Sequence, residues 1–69
     1  MSAESRQTYK QIYNCYENRL RELAKNQYLH EVDNEKAGKI KFDADWQEME
    51  AEINDIRQKF IDLRNQYGI

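Results

Sequence analysis

The sequence predicts an all-α fold, a two-helix antiparallel hairpin that self-associates into an antiparallel four-helix or coiled-coil dimer. Three observations support this prediction, and two of them concern the spacing of apolar residues. In the second half of the chain this spacing alternates regularly between four and three residues, and in the first half apolar residues form a looser stripe. The third is composition, because the 69 residues include no proline and only two glycines. This length allows one small domain over residues 1–69.

The first helix is predicted over residues 5–36. Its apolar stripe begins with three tyrosines, Tyr9, Tyr13 and Tyr16, and continues with leucines. Ser2 or Ser5 can cap its start. Tyrosine rings on one helix face can pack while their hydroxyls reach the edge of an interface. We therefore interpret this stripe as a half-buried packing face rather than a ligand site.

Residues 28–42 admit two interpretations. In the first, the helix runs to about residue 36 and Gly38 follows as the left-handed residue that ends it. In the second, the alternation of polar and apolar residues over positions 39–43 forms a strand that pairs with residues 28–32. An isolated two-stranded ribbon is marginally stable, which favours the hairpin of helices. A helix–β-hairpin–helix fold remains the alternative.

The second helix is predicted over residues 44–67, with Asp43 or Asp45 as its cap and Gly68 as its stop. Its apolar residues form an a/d repeat of more than three heptads, Phe42, Trp46, Met49, Ile53, Ile56, Phe60, Leu63 and Tyr67. This seam can pack on the first helix of the same chain or on a second copy. Chains of this size often oligomerise to bury enough apolar surface, which favours self-association.

The charges beside the seam predict its direction. In an antiparallel pair of second helices, Glu50 lies near Arg57 of the other copy and Glu52 lies near Lys59, so each contact is attractive. A parallel pair leaves most of the flanking contacts repulsive. We therefore expect any homodimer to be antiparallel, with these four charges setting its orientation.

The predicted function is that of a small non-enzymatic protein–protein interaction module, an adaptor, inhibitor or assembly factor. Its partner is a second copy, another protein, or both, bound through the seam residues together with Tyr9, Tyr13 and Tyr16. No catalytic, cofactor-binding or metal-binding residue is predicted. Cys15 has no second thiol, and the lone His30 is expected to be solvated.

Charge and hydropathy argue against a membrane partner and leave nucleic acid as a second alternative. The net charge is −2 and the mean hydropathy is −1.16. Basic residues between the tyrosines could contact nucleic acid, and the acidic segment 43–55 could mimic it. The net acidity and the core spacing of that segment argue against both. The apolar-poor start and the single cysteine predict a cytoplasmic location.

The stretch from Gly38 through Phe42, placed before an amphipathic helix, resembles the small phage head-completion family over residues 30–65. Members of that family join the phage head to the tail by inserting into an oligomeric ring at the portal. The resemblance implies a short ribbon between two helices and a structural assembly role, which is a further alternative function. The chain departs from the family in its acidic first arm, with Glu31 and Asp33, and in lacking a basic tail.

Overall fold

The computed structural model describes residues 2–68, which form two helices packed side by side in opposite directions. Helix α1 spans Ala3–Lys36 and helix α2 spans Ala44–Tyr67. No strand occurs within residues 2–68. The predicted all-α hairpin is therefore confirmed. Helix α1 begins two residues before the predicted start, and the other helix ends fall at the predicted positions.

Side-chain caps start both helices. The Ser2 hydroxyl accepts a hydrogen bond from the Ser5 N–H at 3.1 Å. The Asp43 carboxylate accepts one from the Trp46 N–H at 2.9 Å. Each bond satisfies a backbone donor that has no partner inside the helix. Gly68 follows the last residue of α2 as its cap and has φ +69°, in the left-handed region that glycine enters without steric cost.

The connection between the helices is a tight turn rather than a ribbon. Gly38 has φ +69°, and the Ala37 N–H donates to the Asp33 carbonyl at 3.0 Å. The Lys39 N–H donates to the Asn34 carbonyl at 2.8 Å. These bonds satisfy the last carbonyls of α1. The cap at Asp43 then starts α2 within a few residues, which leaves no room for two paired strands.

The helix–β-hairpin–helix alternative is therefore wrong. Residues 28–32, which would form its first strand, belong to α1. The ribbon implied by the resemblance to the phage head-completion family is likewise absent from residues 2–68. The period-two pattern of the loop places Ile40 and Phe42 in solvent instead, where they are 76% and 48% exposed.

The apolar core lies between the two helices and is thin. Its buried apolar residues are Leu23, Ile53, Ile56 and Leu63. Every large side chain among the described residues keeps at least 2% of its surface exposed. Tyr16, Leu20, Met49 and Phe60 pack against the cluster while remaining half-buried. The heptad seam of α2 thus packs on α1 of the same chain.

Aromatic rings close the open end of the hairpin, where α1 begins and α2 ends. The ring centroids of Tyr9 and Tyr67 are 5.5 Å apart, and those of Tyr13 and Phe60 are 5.1 Å apart. Both distances lie in the favourable range for tilted or edge-to-face aromatic pairs. The predicted tyrosine stripe is therefore a packing face of the hairpin.

The hairpin is a rod rather than a sphere. It measures 53 × 15 × 12 Å, with a radius of gyration of 15.9 Å. A compact domain of this length would have a radius of gyration of about 11 Å. The rod has two broad faces, one on each side of the plane that contains both helix axes. Neither described helix has an apolar stretch that could cross a bilayer.

Candidate interaction surface

Most of the predicted interface residues line the contact between α1 and α2. Ile53, Ile56 and Leu63 are buried there, and Trp46 and Phe60 are half-buried. The other seam and tyrosine positions that are at least partly covered are Met49, Tyr67, Tyr9 and Tyr16. Tyr13 and Phe42 keep 37% and 48% of their surface exposed. The seam therefore forms the centre of the hairpin, and the broad faces and the loop end form its outer surface.

One broad face is marked by two polar bonds between the helices. The Trp46 indole N–H donates to the Glu31 carboxylate at 3.0 Å. The Gln27 amide donates to the Glu50 carboxylate at 2.7 Å. We call this side of the hairpin the Glu50 face.

The opposite broad face carries a different pair of bonds. The Arg19 guanidinium donates to Glu52 at 3.1 Å, and the His30 ring lies against Asp43. Residues 50 and 52 project about 200° apart around α2, because each residue turns the helix by about 100°. We call this side the Glu52 face. A shallow cleft of about 200 Å³ lies on it, lined by residues that include Ile12, Lys59 and Leu63.

Two stripes of side chains run along the Glu50 face. Residues seven apart in a helix stay within about 20° of the same direction, so each stripe remains on one side of the rod. The stripe on α2 consists of Glu50, Arg57 and Arg64, and the stripe on α1 consists of Lys10, Glu17, Ala24 and Glu31. Tyr13 and Tyr28 border the α1 stripe, with 37% and 63% of their surface exposed.

The charges of the Glu50 face separate by sign along the rod. Its open half holds Arg6, Lys10, Arg57 and Arg64. Its loop half holds Glu31, Glu35 and Glu50. Glu17 is an acidic exception within the open half, since its neighbour Tyr16 packs on Phe60, and it pairs with Arg21 one turn along α1. The face is therefore basic at one end and acidic at the other.

The four orientation charges do not lie together. Glu52 is paired with Arg19 at 3.1 Å, and Lys59 lies 3.4 Å from Asp55. Glu50 has only the neutral Gln27 amide as a partner, and within residues 2–68 Arg57 has no ion pair. The prediction from the sequence placed the Glu50–Arg57 pair on one side of the α2 seam and the Glu52–Lys59 pair on the other, with the seam itself exposed to the second copy. Because α1 covers that seam, a face-to-face contact can use only one of the two predicted pairs.

His30 is not the solvated side chain predicted from the sequence. It is half-buried, and its Nε2 atom lies 2.8 Å from Oδ1 and 2.9 Å from Oδ2 of Asp43. The sequence signal was weak because the two residues are thirteen positions apart and meet only when the hairpin closes. The contact ties α1 to the first turn of α2.

The pKa of Asp43 is lowered below its usual value of 3.8. The principal cause is the hydrogen bond from the Trp46 N–H, which stabilises the carboxylate, and desolvation opposes it. The hydrogen bond and the charge of His30, together with the nearby Asn34 amide, lower this pKa further. The cap of α2 is therefore held in its ionised form.

His30, Asp43 and Asp45 bring three groups that can ligate metals within 4.8 Å of one another. Two features disfavour a cation there. The His30 nitrogen and both Asp43 oxygens already bond to each other, and the site lies at the positive end of the α2 dipole. We assign no metal to these residues.

The loop end of the rod displays apolar side chains. Leu29 is 46% exposed, and Ile40 is 76% exposed. The Phe42 ring packs on Trp46 with 4.6 Å between centroids, and the Lys41 ammonium lies 5.7 Å from the Phe42 centroid. Phe42 therefore contacts the seam residue Trp46 but is not buried between the two helices.

Comparison of the sequence with protein-family models and with curated proteins finds no match, and comparison with solved structures finds none either. The shape of the rod and the distribution of its charges therefore carry the functional argument.

Proposed function

We propose that this chain is a small non-enzymatic protein–protein interaction module, acting as an adaptor, inhibitor or assembly factor in the form of an antiparallel homodimer. One observation carries the proposal. The rod exposes 5358 Å² of surface, whereas a compact monomer of 8.4 kDa exposes about 4,600 Å².

The excess is comparable to the area that each partner contributes to a standard protein–protein interface, which is about 800 Å². A two-helix rod buries only the inner stripe of each helix, so its broad faces have no covering layer. A second rod laid against one face supplies that layer and produces a four-helix arrangement. The face of an amphipathic helix is also a recurring means by which one protein recognises another.

The positions of the reactive side chains support a non-enzymatic role. Cys15 is exposed on α1, and the one histidine bonds to the Asp43 cap at the loop end. The fifteen helical steps from position 15 to position 30 correspond to about 22 Å along the helix. A thiol and an imidazole at that separation cannot act together as nucleophile and base, which requires hydrogen-bond reach.

Light scattering after size-exclusion chromatography tests the proposal. We expect a mass near twice 8.4 kDa, falling toward 8.4 kDa on dilution. A mass of 8.4 kDa at every concentration would contradict the homodimer. Salt-sensitive retention on immobilised DNA or RNA would instead favour the nucleic-acid alternative.

A further inference from the structure

The geometry points to the Glu50 face as the self-association surface, with the second copy laid antiparallel so that the basic open half of one rod covers the acidic loop half of the other. This inference rests on the proposed homodimer and assigns it a face and a direction. The Glu52 face is then the side left free for another molecule.

The two broad faces differ in how their charges are satisfied. On the Glu52 face, Arg19 pairs with Glu52, His30 with Asp43 and Lys59 with Asp55 within the same chain, whereas Glu48 has no ion pair within residues 2–68. On the Glu50 face, Arg57, Arg64 and Lys10 have no ion pair within residues 2–68. Charges without internal partners are available to a second molecule, and their arrangement steers association more than it sets affinity.

The sign separation selects the antiparallel direction. In a parallel pair, the basic half of one copy would lie over the basic half of the other, and the two acidic halves would likewise face each other. Turning the second copy end for end places Glu50 of each rod opposite Arg57 of the other. It also places Lys10 toward the Glu35 end of the second α1. Two-fold symmetry forms each of these contacts twice.

Size and shape agree with this arrangement. The broad face has an outline of about 800 Å², given its 53 Å length and 15 Å width, which matches one partner's share of a standard interface. The pairing of residues 50 and 57 puts the two-fold axis near Ile53 and Leu23, which pack in one cluster. On the α1 stripe, the residue at that level is Ala24, whose small side chain lets two α1 helices approach closely.

Charge reversal with complementation tests the inference on the full chain. E50K places a lysine opposite Arg57, and R57E places a glutamate opposite Glu50, so each homodimer gains two repulsive contacts. We expect the dissociation constant of each variant alone to rise at least about tenfold. A mixture of E50K and R57E restores attraction at both contacts. The introduced lysine of one chain then faces the introduced glutamate of the other, and the native Arg57 and Glu50 face each other at the second contact. We expect the mixture to form a heterodimer about as tight as the wild-type dimer.

The matched controls are E48K and K59E, which make the same charge changes on the Glu52 face. Glu48 precedes Glu52 by one turn, and both control positions are exposed. We expect both control variants to dimerise as the wild type does. Helical content by circular dichroism confirms that every variant folds.

The outcomes separate this inference from the proposed function. A wild-type chain that stays monomeric overturns both. A wild-type dimer that survives E50K and R57E overturns the Glu50 face alone and leaves the homodimer standing. Dissociation by the control variants would place the interface on the Glu52 face. Dissociation of E50K and R57E without recovery on mixing would overturn the antiparallel pairing of these two residues.

Discussion

The His30 imidazole of α1 lies against the carboxylate of Asp43, which is the residue that caps α2. Its Nε2 atom is within 2.9 Å of both carboxylate oxygens. The Asp43 side chain therefore accepts a hydrogen bond from the Trp46 N–H in the first turn of α2 and at the same time joins α2 to α1. Charge on Asp43 strengthens both contacts, which makes the loop end sensitive to acid.

The first prediction concerns that sensitivity. The pKa of Asp43 in the folded chain is below its value of 3.8 in the absence of structure. Stability from this group is therefore fully present above pH 3.8 and decreases as the pH falls through the folded-state pKa. We expect the urea concentration at the unfolding midpoint of the wild type to decrease as the pH is lowered through that range.

Asp43→Asn is the control for this measurement. Asparagine caps helices about as well as aspartate does, but it does not titrate. We expect the midpoint of this variant to depend less on pH in the acidic range than that of the wild type. Equal pH dependence in the two proteins would contradict a role for the Asp43 charge.

The second prediction concerns the core. Ile53 is 3% exposed, so Ile53→Asp buries a charge with no partner and should destabilise the fold by about 3 kcal/mol or more. Ile53→Ala should cost about 2–5 kcal/mol by leaving a cavity. Ile40→Asp is the control, because Ile40 is 76% exposed and its replacement should change stability by less than about 0.5 kcal/mol. Equal effects in chemical denaturation would show that the seam is not buried.

The third prediction concerns Asn34, the one buried polar residue within residues 2–68. Its Nδ2 amide donates to the Lys41 carbonyl at 3.3 Å, which fixes the loop against α1. Asn34→Ala removes this bond and should lower the free energy of unfolding by about 1–3 kcal/mol. Asn26→Ala, at an exposed position on α1, provides the comparison in thermal unfolding. A loss no greater than that of the exposed variant would show that the loop contact contributes nothing.

The fourth prediction concerns the turn at Gly38. A Cβ at this position would meet no atom within 4 Å, so Gly38→Ala introduces backbone strain without a clash. At φ +69° this strain should cost about 1–2 kcal/mol. Gly38→Asn should cost less, because asparagine tolerates the left-handed region better than alanine. The melting temperature of Gly38→Ala should be lower than that of Gly38→Asn, and the reverse order would refute the conformational explanation.

The helices could be predicted from the sequence because their signals are local. Asp43 precedes the four-three repeat and Gly68 follows it, so the cap, the seam and the stop of α2 could each be identified within a few residues. Gly38 marked the end of α1 in the same way. Local signals also produced the strand alternative that proved wrong, since residues 39–43 have the period of a strand but lack a partner strand.

The surface could not be predicted in the same way because it depends on contacts between distant residues. The Trp46–Glu31 and Gln27–Glu50 bonds join residues 15 and 23 positions apart, and neither pair belongs to a recognisable motif. Those contacts decide which side of the rod each charge occupies. The heptad positions of Glu50 and Glu52 identified both as neighbours of the seam. Only the closed hairpin showed that Gln27 lies on the side of Glu50 and Arg19 on the side of Glu52.

The polar bonds near the loop also determine the register of the hairpin. A heptad seam repeats, so sliding α2 by seven residues, about 10.5 Å, would again place apolar side chains against apolar side chains. The bonds of His30, Asn34 and Trp46 have no such periodicity and can all form in only one alignment. The apolar core therefore stabilises the contact between the helices without fixing how far α2 is shifted along α1. A few hydrogen bonds at the loop end fix that alignment for the whole rod.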